Sequence, residues 1–383
     1  MLLLALAGAS HHNPTVSFDK FPFTMKKLQQ QLLDWFQENA RELPWRKTYT
    51  PYHVWISEIM LQQTQMDRVV DYFNRWISRF PDLKSIAGAC EQDVLKLWEG
   101  LGYYSRARNI IKSANILVAE YCGKLPADHN QLLKLPGIGK YTAGAIMSIA
   151  FNKEYPLVDA NIERVFARLF NLAQPVKDKK TSAFIWRKAG DLLPYGKARE
   201  FNQALMELGA LVCIAKNPRC KICPIKTDCQ AFSFDLVAKR PVLNAPAKTI
   251  FIEMATGILE QNGRILIQKR KPKGVWANLW EFPGGRLEAG ETPEMALVRE
   301  YLEETELAVG NLKKITTVKH SYTIYRVTLH CYFCSLMDGR LEPVLHGAQE
   351  YRWVKPEELS DFALPAGHRK LVNHLQNEMG LFM

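Results

Sequence analysis

Apolar residues recur at intervals of three and four through most of residues 26–232, the period of a helix with one buried face. From Tyr52 to Phe80 the series runs Ile56, Ile59, Met60, Met66, Val69, Val70, Phe73, Trp76 and Ile77, which predicts one apolar helix face. Pro81, Gly88, Gly100, Gly102, Pro126 and Pro136 punctuate further helices, and nothing in this region alternates like a sheet. After residue 232 the period changes. Residues 233–249 carry two prolines and no clear period, and read as a linker. "TIFIEMATGILE" and "RILIQKR" are strand-like runs separated by "QNG", a hairpin signal, and "HSYTIYRVTLHCYFCSL" reads as another strand stretch. A helix pattern from Pro293 to Leu307 lies between them. The pattern thus predicts an all-α domain over 25–232 and a separate α+β domain over 250–383.

Composition fits such a chain. Its 383 residues suffice for two or three domains, and 47% hydrophobic against 23% charged residues is not a disordered balance. A formal net charge of +11 favours a polyanion such as nucleic acid, though a merely basic soluble protein has the same sum. No apolar run spans a bilayer, so no membrane partner is expected. "MLLLALAGAS" resembles a signal h-region but lacks a positive n-region. Residues 1–24 read as a disordered leader, with Met25 as a second start. A cytoplasmic location is expected, nucleoid-associated if the source is bacterial.

Four of eight cysteines, Cys213, Cys220, Cys223 and Cys229, fall within seventeen residues, separated by six, two and five. Four thiolates on a short loop suit a [4Fe–4S] cluster or a structural zinc. Zinc ribbons use two Cys-x-x-Cys knuckles, and only one such pair occurs in this window, which favours iron–sulfur. Cys331 and Cys334 lie three apart on an expected strand, face opposite sides, and read as packing.

Three carboxylate or glycine features precede the cysteines. In "LPGIGKYTAG", Gly137 and Gly139 can adopt backbone angles closed to other residues, and their amides, with Lys140 at a helix start, can converge on one anion. Read alone, such a Gly-x-Gly is more often just a turn. Glu58 sits mid-helix with Trp55 and Leu61 at helical spacing. It is either a desolvated carboxyl with a raised pKa, suited to general-acid work, or a solvated rim glutamate. Asp159 opens an amphipathic helix, so its plainest role is an N-cap, compatible with stabilising a cationic intermediate.

Taken in order over residues 52–229, these features resemble the helix-hairpin-helix base-excision DNA glycosylases. "LPGIGKYTAGAI" resembles their hairpin, "VDANIERV" their Asp-bearing loop, and the cysteine spacing that of the endonuclease III and MutY branch. Strand-cutting members place a lysine nucleophile where Tyr141 stands, and a phenol forms no Schiff base. "ELPWR", "SEIMLQQTQ" and "GLGYYSRARN" are similar to the MutY, or adenine DNA glycosylase, branch. That resemblance implies removal of adenine opposite 8-oxoguanine or guanine in duplex DNA, by a monomer carrying a [4Fe–4S] cluster. It implies that Glu58 protonates adenine at N7 and then assists water, and that Asp159 stabilises the oxocarbenium ion or a covalent sugar adduct. It implies that Tyr141 and Asn161 shape that intermediate and that Gln203 hydrogen-bonds the extruded adenine. Trp45 and Arg46 would wall the adenine pocket, and Gln63 and Tyr103 would wedge into the base stack. Ala160 replaces the commoner glycine of the loop.

"GGRLEAGETPEMALVREYLEETEL" resembles a Nudix box through Gly285, Glu291, Arg299, Glu300, Glu303 and Glu304. Glu306 stands for its second glycine and Tyr301 for its first bulky apolar residue, so the metal geometry departs from the pattern. In the MutY branch this domain recognises 8-oxoguanine. The reading loop aligns with Tyr322, Thr323 and Ile324, the last in place of a histidine. Two rival readings remain open: a glycosylase with lyase activity on oxidised pyrimidines, and added nucleotide pyrophosphatase activity in the C-terminal domain.

Overall fold

The computed structural model describes residues 24–244, 248–337, 339 and 341–378. The expected leader falls almost wholly outside these residues, as do residues 245–247 of the expected linker. Eight helices come first: α1 (Met25–Asn39), α2 (Pro51–Leu61), α3 (Met66–Arg79), α4 (Leu83–Ala87), α5 (Glu91–Trp98), α6 (Ser105–Glu120), α7 (His129–Leu133) and α8 (Lys140–Ala145). A π-helical turn, Ile146–Ala150, extends α8. Then follow α9 (Ala160–Leu169), α10 (Lys179–Asp191), α11 (Ala198–Leu211) and the short α12 (Gln230–Ser233).

The chain forms two compact units. One joins α1 to residues 152–243, and the other joins residues 42–151 to the chain from Asn244 onward. In the first, α11 packs against α1 and α9 through buried Ala198, Phe201, Leu205 and Leu208. In the second, α3 buries Val69, Phe73 and Trp76 at helical spacing, and Trp76 meets Phe80 and Trp98 edge-on at 5.2 and 5.5 Å. The single helix face expected over 52–80 is two helices. The chain breaks at residues 62–65, where Gln63 takes a left-handed backbone, φ 59°. No glycine or proline marks this break. Thr50 opens α2 by accepting from the His53 amide, with Pro51 at the first helical position.

The C-terminal part is a mixed sheet with a helix on each face. Its strands are β1 (Ile250–Gln261), β2 (Arg264–Arg270), β3 (Trp280–Glu281), β4 (Gly284–Arg286), β5 (Val309–Tyr322), β6 (Tyr325–Leu336) and β7 (Ala348–Val354), in the order β3-β2-β1-β6-β5. β4 adds to β1 and β7 to β2, and β1 runs parallel to β6. One core forms under α13 (Pro293–Thr305) through Ala296, Leu297 and Tyr301, and the other under α14 (Ala366–Glu378) through Leu371, Val372 and Leu375. Cys331 packs in the α14 core and Cys334 in the α13 core, as a period of two requires. The "QNG" signal forms the β1–β2 turn, with Asn262 and Gly263 both left-handed.

The strand stretch expected around residues 320–336 is instead a hairpin. It turns at Thr323–Ile324, with Thr323 at φ 49°. Two β-branched residues at the tip hid the turn, because they favour strands. Helix α13 ends two residues before the expected Leu307, with Glu306 at φ 54° in the left-handed position where the Nudix pattern has glycine.

Candidate active site

Glu58 lies on α2 among Val54, Trp55, Ile59 and Met60, all buried, and is itself 4% exposed. It is therefore enclosed rather than placed at a solvated rim. Tyr141 on α8 donates its phenolic hydrogen to Glu58 Oε2. Gln62, at the end of α2, reaches Thr142 Oγ1 at 3.4 Å, a second link between the two helices. A carboxyl this buried needs hydrogen-bond partners, and the phenol fixes its orientation.

The hairpin before α8 alternates inward and outward. Leu135 and Ile138 are buried, while Gly137, Gly139 and Lys140 are exposed. Ser113 on α6 holds the Pro136 carbonyl at 2.8 Å. Gly137 has φ 78°, and a Cβ there would meet Asn109 Cβ at 2.8 Å, so glycine is required twice over. Gly139 departs from expectation. Its backbone is extended (φ −94°, ψ −178°), and a Cβ would meet nothing within 4 Å. It caps α8 without needing glycine's freedom.

Trp45 is buried, with its ring edge-on to Phe73 at 5.2 Å, and Arg46 beside it is partly exposed. Gln63 and Tyr103 are both exposed and both left-handed, at φ 59° and 47°. Tyr322 stacks on Tyr325 at 4.9 Å and meets Trp276 edge-on at 5.2 Å, beside Thr323 at the β5–β6 tip.

The other candidate residues belong to the first unit. Asp159 caps α9, accepting from the Ile162 amide at 2.8 Å through one oxygen and from Asn161 Nδ2 at 2.8 Å through the other. Burial pushes its carboxyl above the usual aspartate range, and these hydrogen bonds offset part of that rise. Gln203 is buried on α11 and donates to the Arg199 carbonyl at 3.1 Å.

Two residues here escaped sequence reasoning. Arg164 Nη2 holds both Asn161 Oδ1 and the Gly209 carbonyl at 2.7 Å, while its Nε donates to the Cys213 carbonyl at 2.8 Å. One side chain thus ties the Asp159 cap to the cysteine loop. Gly209 permits the close crossing of α9 and α11, since a Cβ there would lie 2.6 Å from Asn161 Cβ. Neither shows in a helical period, because both matter through a neighbour distant in sequence.

Cys213, Cys220, Cys223 and Cys229 line one cavity together with Arg168 and Lys226. Burial, and then the other sulfurs, push the Cys223 thiol up to about 12 and the Cys229 thiol up to about 11. Such thiols stay protonated at neutral pH unless a metal displaces the proton. Among the described residues no three His, Cys, Asp or Glu side chains already stand in metal-binding geometry. The chemistry of the donor set still suits a sulfur-ligated centre: four cysteines line the one cavity, and Arg168 Nη1 lies 3.3 Å from Cys213 Sγ and donates at 2.8 Å to the Ile214 carbonyl.

In the Nudix-like box, Arg299 gathers the carboxylates. It binds Glu291 through Nε at 2.7 Å and Nη2 at 3.0 Å, Glu303 at 2.9 Å and Glu300 at 3.2 Å. Gln268 donates to Glu304 at 2.7 Å. Gly285 leaves the space that the Glu300 carboxyl occupies.

Comparison with known proteins gives the class to which the chain belongs, the base-excision DNA glycosylases. Residues 56–190 match the HhH-GPD superfamily of base excision DNA repair proteins, and residues 254–374 match the NUDIX domain. The structure of a thermostable thymine-DNA glycosylase is similar to 55% of this chain, with 97% of that chain covered, 29% identity and a TM-score of 0.51. The adenine DNA glycosylase of Buchnera aphidicola subsp. Acyrthosiphon pisum is 36% identical over 77% of this chain and 82% of its own length. That of Homo sapiens is 32% identical over 91% of this chain and 73% of its own length. The chain belongs to the adenine DNA glycosylase family.

Gly209→Ala is expected to destabilise the protein by about 1–3 kcal/mol through overpacking, read as a lower urea midpoint. Unchanged stability would mean that α9 and α11 separate without cost.

Proposed function

We propose that this enzyme extrudes and hydrolytically removes adenine opposite 8-oxoguanine, or guanine, in duplex DNA, and leaves the strand uncut. The observation that carries the reading is the Tyr141 phenol donating to the buried Glu58 carboxyl. The adenine N-glycosidic bond breaks when the base is protonated and the sugar becomes cationic, which takes one acid and one stabilising carboxylate. Glu58 supplies the proton to N7 and afterwards assists the attacking water. Asp159 stabilises the oxocarbenium ion or a covalent sugar adduct, with Asn161 and Tyr141 shaping that intermediate. Trp45, Arg46 and Gln203 receive the extruded adenine.

Extrusion costs a few kcal/mol of stacking and pairing. Phosphate anchoring by Gly137, Gly139 and Lys140 offsets part of that cost, with Gln63 and Tyr103 entering the stack. Tyr322 and Thr323 contact the 8-oxoguanine, and the Ile324 side chain offers them no hydrogen bond. A strand-cutting lyase needs an amine to form a Schiff base. By its resemblance to that family, this chain has Tyr141 at the position of the lyase lysine, and a phenol supplies no such amine.

Cys213, Cys220, Cys223 and Cys229 would hold a [4Fe–4S] cluster. Bound there, it would supply charge and cross-link the loop that Arg164 and Arg168 grip. The chain would work as a monomer. Residues 25–232 would form the glycosylase domain, 233–249 the linker and 250–383 the lesion-reading domain. No helix among the described residues is long and apolar enough to cross a membrane, and a location with the DNA, in the cytoplasm or its nucleoid, is part of the same reading.

With a duplex carrying adenine opposite 8-oxoguanine, the strand should break only after heating with alkali, and borohydride should trap no covalent complex. Glu58→Gln should abolish release while duplex affinity stays within about threefold, as expected for a group that acts in the transition state. Cleavage without alkali, or normal turnover by the variant, contradicts the reading. Purified protein should carry about four iron atoms per chain, and zinc in their place would refute the cluster.

A further inference from the structure

Gln63 and Tyr103 share more than exposure. Each sits on left-handed backbone that non-glycine residues rarely adopt, and each follows a carbonyl held by the same side chain. That side chain is Arg106, in the first turn of α6 and 9% exposed. Its Nη1 donates to the carbonyls of Ile59 at 2.6 Å, Met60 at 3.3 Å and Gln62 at 2.8 Å. Its Nη2 donates to the carbonyls of Leu101 at 3.0 Å and Gly102 at 3.2 Å. One nitrogen serves each loop.

The geometry has a direct consequence. The Gln62 carbonyl belongs to the peptide plane that ends at the Gln63 nitrogen, and the Gly102 carbonyl to the plane that ends at the Tyr103 nitrogen. A planar peptide leaves only the flanking dihedrals free, so holding the plane constrains φ of the residue that follows. The guanidinium is itself a rigid fork, which also fixes the separation of the two planes. The Trp98 and Tyr103 rings lie 5.2 and 5.6 Å from its central carbon. The 101–104 loop has further anchors: Trp98 Nε1 donates to the Gly102 carbonyl at 3.0 Å, and the Tyr104 hydroxyl donates to the Leu364 carbonyl at 3.2 Å.

We propose that Arg106 is a positioning residue for base extrusion: one buried guanidinium sets the backbone of both loops and so presents Gln63 and Tyr103 to the duplex as a single, rigidly spaced pair. The inference rests on the reading above that these two side chains wedge into the base stack. Burial lowers the guanidinium to about 10, so it keeps its charge at neutral pH. Lysine would keep a charge as well, but its one nitrogen cannot serve both sets of carbonyls.

The test places Arg106→Lys in the full-length protein, both in the natural sequence and in a Gln63→Ala/Tyr103→Ala background. Unstacking is read by stopped-flow fluorescence of 2-aminopurine next to the target adenine, beside single-turnover excision and duplex affinity. In the natural sequence the substitution should slow unstacking and excision by on the order of tenfold to a hundredfold, with a much smaller change in affinity. In the background lacking both wedges it should cost less than about twofold. Equal losses in both backgrounds, or unchanged unstacking, overturn the proposal. If the wedge-less protein excises as fast as the natural one, the wedge reading falls and the proposal with it. If only the wedge-less protein is slow, the proposal alone falls. Should the lysine variant not fold, native-state hydrogen exchange on the unaltered protein decides. The amides of Gln63 to Gln65 and Tyr103 to Ser105 should open together, and two independent openings overturn the proposal.

Discussion

A carboxyl enclosed by apolar helix packing is the constraint around which this enzyme is organised. Glu58 sits in an α2 whose residues from Val54 to Met60 are all buried, and it is held by the Tyr141 phenol. A buried carboxyl without hydrogen-bond partners is costly, so packing and the phenol together decide its direction. That requirement fixes how α2 and α8 meet. The hairpin before α8 must then turn tightly, and Gly137 against Asn109 shows how little room it has. Acid and hairpin are thus two ends of one packing arrangement.

The exposed candidate residues follow a related logic. Gln63, Tyr103 and Thr323 each stand at a loop tip on left-handed backbone. Such backbone is unfavourable for side-chain-bearing residues and persists only where neighbours over-determine it. For the first two the neighbour is a buried arginine. For Thr323 it is the β5–β6 ladder, paired up to Tyr322 and Tyr325. In the other unit, Arg164 plays a comparable part by gripping Asn161, Gly209 and Cys213. In both units, then, an arginine with carbonyl partners, buried Arg106 in one and half-buried Arg164 in the other, holds the shape of a segment bearing candidate residues.

Much of this was legible in the sequence. The period of three to four, the "QNG" turn, the Asp159 cap and the cysteine spacing each follow from local rules, and each has its counterpart in the structure. The misreadings were also local. The helix break at 62–65 carries no glycine or proline, and the β5–β6 turn carries two β-branched residues, so local propensity pointed the wrong way. Gly139 looked like a conformational requirement and is a plain extended cap. Arg106, Arg164 and Gly209 were invisible because their partners are remote in sequence, and only folding brings those together. Whether Glu58 was buried or solvated could not be read from spacing, since a helix rim and a helix core can share one period.

The central claim is that Glu58 breaks the glycosidic bond by protonating N7 of an extruded adenine. The most direct measurement offers the full-length protein a duplex in which that adenine is replaced by 7-deazaadenine opposite 8-oxoguanine. The replacement puts a carbon where the proton must go and changes the shape little. The account predicts binding within about threefold of the adenine duplex and no detectable base release, the pattern of a lost transition-state interaction. Release at a rate comparable to adenine would contradict it and remove Glu58 from its role as the acid.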